Sequence, residues 1–161
     1  MRFPTLSLHG LAALLLACSA LPALAGDAIL RYTAKLPADV AYQKLYQALE
    51  DKGYYVIFEP NMGRTLAGMA ERLGKDYNRN QLSTMRSLVF CNPVLTNRIA
   101  NADPALLALC PLHVSLTHKD GVSSVFFARP GVLAAGSPGA AEVQSIESEI
   151  DQIIREALRV Q

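Results

Sequence analysis

Asp120-Gly121 sits between two strand-like runs, Leu112 to His118 and Val122 to Ala128, and this punctuation limits the fold more than any other feature. Both turn residues tolerate positive φ, as a tight hairpin turn requires. The two runs are therefore antiparallel neighbours. A doubly wound parallel sheet is disfavoured, because parallel neighbours need a long crossover connection instead.

The elements before the hairpin alternate in type. Ala28 to Leu36 reads as a first strand, with polar and apolar residues alternating from Leu30 until Pro37 stops it. Asp39 is placed to cap a helix whose apolar face is Ala41, Leu45, Ala48 and Leu49, ending at Lys52-Gly53. Tyr54 to Phe58 is aromatic and β-branched, a second strand. Asn61 then caps a helix with Leu66, Met69, Ala70 and Leu73 on one face, terminated by Gly74. Ser87 to Cys91 is a third strand, apolar enough to be buried on both faces. Pro93 to Leu109 reads as short helical turns with a capped restart at Asp103-Pro104. After the hairpin, Pro130 to Gly139 reads as a linker. A final helix follows, with Val143, Ile146, Ile150, Ile153, Ala157 and Leu158 as its apolar stripe. Glu147, Glu149 and Asp151 are expected on its solvated side.

The order β-α-β-α-β-(α)-β-β-α predicts an α/β (α+β) two-layer sandwich. Its mixed, mostly antiparallel sheet of about five strands is covered on one face by helices. At 161 residues the chain suits one domain, expected over 28–161.

Met1-Arg2, an apolar run from Leu6 to Leu21 and the small-x-small Ala23-Leu24-Ala25 have the anatomy of a cleavable secretory signal over 1–25. The expected location is the bacterial periplasm, with no transmembrane span in the mature chain. Leu15-Leu16-Ala17-Cys18 is a weaker fit to a lipoprotein box. Loss of Arg2 with the signal leaves fourteen basic against fourteen acidic side chains. No basic stripe survives to neutralise a row of phosphates, which argues against nucleic acid as a partner.

Cys91 and Cys110 are the cysteines left after Cys18 is removed with the signal. If the strands ending at Cys91 and starting at Leu112 are antiparallel neighbours, the two thiols lie within disulfide reach in a compartment that permits the bond. A bridge closing about twenty residues would stabilise the fold by roughly 3 kcal/mol in the chain-entropy model. A redox or metal-binding pair and two unlinked thiols are the alternatives. His113 would complete a soft ligand set, but His113 and His118 lie five apart on one strand and point to opposite faces. No metal site is therefore expected.

Asn92-Pro93 reads as a strand-terminating turn, with an alternative in which Asn92, Asn97 and Asn101 line a pocket. Met69 reads as core, and Met62 and Met85 as candidates for an apolar groove. Tyr42, Tyr46, Tyr54 and Tyr55 are candidate aromatic anchors. Gly-x-Ser-x-Gly, His-Glu-x-x-His and phosphate-cradling glycine loops do not occur, so no catalytic residue and no cofactor are expected.

From roughly Leu30 to Leu158 the layout resembles the domain of unknown function 302 (DUF 302) family. The residues carrying the resemblance are Lys52-Gly53-Tyr54, Val89-Phe90-Cys91-Asn92-Pro93, Asp103-Pro104, Cys110-Pro111-Leu112, Lys119-Asp120-Gly121 and the closing amphipathic helix. Many members carry a small residue such as glycine where Cys91 stands. The resemblance implies a compact α/β domain that tends to form homodimers, with no agreed activity. The functional expectation is a non-catalytic exported module that binds a small ligand or an envelope protein. The alternative is a thiol- or metal-handling protein using Cys91 and Cys110.

Overall fold

Five strands make one antiparallel sheet in the computed structural model, which describes residues 28–160. The expected signal over 1–25 and the Cys18 box lie outside the described residues. β1 (Ile29–Ala34) and β2 (Tyr55–Phe58) are the edges of an open sheet ordered β1-β5-β4-β3-β2. β3 is Thr84–Cys91, β4 is Leu112–Lys119 and β5 is Val122–Ala128. Asp120 (φ 49°) and Gly121 (φ 79°) form the turn between β4 and β5, whose register runs from Val114 opposite Phe127 to Lys119 opposite Val122. Every pairing is antiparallel, so the sheet is simpler than the mixed one expected.

Two long helices, α1 (Ala38–Asp51) and α6 (Ala140–Leu158), cover one face. The core lies between them and the sheet. Tyr32, Leu88, Phe90, Val114, Leu116, Val125 and Phe127 rise from the strands to meet Leu45, Leu49, Ile150 and Ile154. The period-2 alternation of the strands makes this possible, one parity inward and the other out. Gly53 ends α1 at φ 76°, where a Cβ would be strained. Among the described residues no helix is long and apolar enough to cross a membrane.

Five expectations change. Asp39 does not cap α1: Pro37 holds the N-cap position without a side-chain bond, and Asp39 instead lies in the first turn, 3.6 Å from Arg86. The helix drawn from Asn61 to Leu73 breaks into α2 (Met62–Ala67) and α3 (Ala70–Leu73), neither with a buried residue. Met69 falls at the break and is 38% exposed rather than core. Gly68, a poor helix former, sits at the same place.

The linker is not loose either. Pro130–Leu133 forms α5, with Pro130 and Gly131 buried. Ser137 Oγ donates to Asp103 Oδ2 at 2.7 Å. The acidic side chains of α6 act as anchors. Glu147 is buried and accepts from Arg129 Nε at 2.7 Å and from the Gly131 amide at 2.8 Å. Glu149 accepts from the Tyr54 hydroxyl, and Asp151 from Tyr32 and Arg155. A carboxylate at the margin of a helix stripe can reach a phenol or a guanidinium on the neighbouring layer, and stripe counting alone does not show that.

Candidate functional site

The ends of β3 and β4 meet helix α4 (Pro93–Ala102) and the 3-10 turn Pro104–Leu109, and the two cysteines lie there. Asn92 starts α4: its Oδ1 accepts from the amides of Val94 and Leu95, both at 3.1 Å. Pro93 at the first helical position needs no such partner. Asp103 caps the next turn in the same way, accepting from the Ala105 amide at 3.0 Å. Its carboxyl is held below the usual range by the hydrogen bonds from Ser137 and Ala105.

Cys91 and Cys110 are both thiols, half-buried, on either side of Thr96. Cys91 Sγ lies 3.2 Å from Thr96 Oγ1, which lies 3.9 Å from Cys110 Sγ. Phe90 pairs with Leu112, so the two cysteines lie together just beyond the last rung of one antiparallel ladder. The Cys110-Pro111 peptide bond is cis. Burial pushes the Cys110 thiol up, against the pull of the Thr96 hydrogen bond.

These side chains border an apolar cavity of about 30 Å³ whose walls include Tyr54, Phe90, Leu95, Ile99, Val143 and Ile146. A space of that size holds about one water molecule, and metabolite pockets are roughly tenfold larger. Among the residues singled out from sequence, Cys91, Cys110 and Asn92 border it. Asn97 and Asn101 do not; both stand exposed on α4. His113 is exposed on β4 and is not part of the cavity wall. Its strand neighbours Val114 and Leu116 are buried, so His113 shares the opposite sheet face with Ser115 and Thr117. Among the described residues, no three His, Cys, Asp or Glu side chains converge as metal ligands.

Among the described residues, no helix layer of the α1 and α6 kind covers that opposite face. Its rungs run Arg31, Phe126, Ser115, Ser87 and then Thr33, Ser124, Thr117, Met85. Beside them lie Phe58, Val89 and His113. Phe58 is 63% exposed and Ile29, at the end of β1, is 41%. Arg31 stacks over Phe126 at 5.4 Å, and the Ser87 and Ser115 hydroxyls are 2.9 Å apart. Of the four tyrosines considered as anchors, Tyr42 and Tyr54 are core residues, Tyr46 is partly buried, and only Tyr55 stands at the surface.

Thr96 and Arg86 were not singled out from sequence. Nothing about one threonine on a short helix marks it as the hydroxyl between two thiols. Arg86 did leave a signal: it shares parity with Leu88 and Phe90, which places a cation on the core-facing side of β3. Its guanidinium lies 3.6 Å over the Tyr42 ring. Met62 and Met85 do not share one groove; they border separate hollows on either side of α2.

The sequence pattern of the family described as Domain of unknown function DUF302 matches residues 30–157. No curated protein matches the sequence. The crystal structure of an uncharacterized conserved DUF302 protein from Bacillus stearothermophilus superposes with a TM-score of 0.69 at 16% identity, covering 82% of this chain and 98% of that one. That likeness shows a shared fold. The family match spans most of the chain, and this protein belongs to the DUF302 family.

Proposed function

We propose that the protein is a non-catalytic binding module of the bacterial periplasm that works as a homodimer, pairing through the uncovered face of its sheet. The observation that carries this reading is that face itself. One side of the sheet is packed by α1 and α6, while the other presents Phe58, Ile29 and Phe126 among hydroxyls and one stacked arginine. Exposed apolar groups bordered by polar ones are the composition of an association surface. A two-fold pairing would set the same patch on both copies, as isologous contacts require. The edges of the sheet are poorer candidates. β2 is short and bulged, and its Val56 amide already donates to Glu50 Oε1 at 2.7 Å. Periplasmic location rests on the signal-like residues 1–25. Sedimentation equilibrium of the mature protein tests the reading: a dimer is expected, and a monomer at all concentrations rejects it.

A second reading is favoured by one specific geometry, the two thiols on either side of Thr96. In an oxidising compartment they would close a Cys91–Cys110 disulfide that ties α4 to the start of β4. Thiol titration before and after reduction separates the cases. A bond that forms and reopens with a mild dithiol favours thiol handling; a bond resistant to it marks a clamp.

A further inference from the structure

Between α2, α1 and the first half of β3 lies a polar cleft of about 410 Å³. That volume is within the range of small-molecule sites, unlike the space beside the cysteines. Its floor is strand backbone. β2 pairs with β3 only as far as Phe58 opposite Val89, and the Ser87 amide then donates to the Pro60 carbonyl at 3.0 Å. Alternation along an antiparallel strand turns the Met85 amide and carbonyl to the same side. There they meet Gly63, where a Cβ would come 3.4 Å from the Met85 nitrogen. A glycine at that position keeps the cleft deep.

Two cations and one carboxylate, Arg64, Arg86 and Asp39, line it. Arg86 is the unusual member. Its side chain is 27% exposed and stacked on Tyr42, yet its ion pairs are long: 3.6 Å to Asp39 and 3.9 Å to Glu59. Glu59 is committed elsewhere, accepting from the Tyr42 hydroxyl at 2.5 Å. Arg86 Nε is buried and has no hydrogen-bond partner among the described residues. A guanidinium held flat over a ring, with only long ion pairs at its two terminal nitrogens, is an arrangement that can receive a planar carboxylate on that edge.

We propose that this cleft binds a small monocarboxylate, with Arg86 and Arg64 receiving the carboxylate and the Met85 backbone bordering the bound molecule. The lining carries one net positive charge, which matches a single carboxylate and leaves a doubly charged phosphate uncompensated. The inference names a ligand class for the binding module proposed above and rests on that reading. A dimeric protein that ignores carboxylates would sink this inference and leave the other standing.

The test is a titration of the isotope-labelled mature protein with sodium acetate, sodium phosphate and sodium chloride at matched ionic strength, followed by NMR. Acetate is expected to shift the Arg86 Nε–Hε and Met85 amide signals saturably, with phosphate weaker and chloride without effect. Arg86→Lys, which keeps the charge but loses the fork, is expected to weaken acetate binding by about tenfold or more. Arg86 also packs on Tyr42, so Gly63→Ala serves as the second variant: its methyl would lie against the Met85 backbone without touching the guanidinium, and should weaken the Met85 shift. Shifts that fail to saturate, that chloride reproduces, or that are unchanged in both variants would overturn the proposal.

Discussion

Tyr54 and Glu149 stand 95 residues apart in the chain, and the phenol of one donates to the carboxylate of the other at 2.7 Å. The bond ties the entry to β2 onto the middle of α6. Tyr54 is also packed edge-to-face on Phe90, ring centroids 5.9 Å apart at 88°. Tyr54→Phe keeps the ring contact and removes the bond, so a loss of about 1 kcal/mol in urea unfolding is expected. Phe90→Ala removes a fully buried ring and is expected to lose about 3–5 kcal/mol.

Three phenols share this design and predict an alkaline signature. Burial raises Tyr32, Tyr42 and Tyr54 well above the ordinary tyrosine range, helped by hydrogen bonds to Asp151, Glu59 and Glu149. A phenol whose folded pKa exceeds its unfolded value adds stability that is full below about pH 10 and lost as pH rises toward the folded value. Ultraviolet titration should therefore show Tyr32, Tyr42 and Tyr54 ionising only as the fold opens. Ionisation of these three near pH 10 with the fold intact would contradict it.

At the acid end the sign reverses. Burial pushes Asp151 up, but the hydrogen bonds from Arg155 and Tyr32 outweigh it, and its carboxyl lies below the ordinary value. The stability it adds is present above roughly pH 4 and is lost as pH falls through the folded value. Asp151→Asn should flatten the acid limb of a melting-temperature profile.

Glu147 is the buried carboxylate of the fold, and both of its contacts fix the segment after β5. Glu147→Gln leaves one donor facing an amide N–H and is expected to lower stability by about 2 kcal/mol. Gly131→Ala should act on the same contact, because its Cβ would fall 2.8 Å from Glu147 Oε2. Thermal unfolding of the two single variants and the double variant checks the coupling: the effects should not add.

Cys110 should be a slow nucleophile. Burial raises its thiol, and the thiolate is the reactive form. In reduced protein at neutral pH, iodoacetamide is expected to modify Cys110 more slowly than an unfolded-chain cysteine, and denaturant should remove the difference.

Much of this fold was legible because its signals are local. Asp120-Gly121 specified a hairpin through two positive-φ positions, and the stripe from Val143 to Leu158 specified a helix through its 3.6-residue period. Asn61 and Asn92 were readable as turn or cap residues because a cap acts within four residues. The misses share a cause too. Met69 and the broken helix depended on whether any layer lies over them, and Glu147, Glu149 and Asp151 on partners far away in sequence. The thiol pair was readable only as a juxtaposition of two strand ends. Nothing local marked Thr96 between them, and nothing local could show that the cavity is too small for a metabolite.

The pairing face proposed for this protein is open to direct measurement. In the mature protein with Cys91 and Cys110 replaced by serine, a spin label at Thr117→Cys sits on the uncovered sheet face and one at Ser145→Cys on the exposed side of α6. Sheets packed face to face lie about 10 Å apart. Electron–electron distances within the dimer should therefore be short for Thr117→Cys and much longer for Ser145→Cys. The reverse order, or no coupling between copies at either site, would contradict pairing through the sheet.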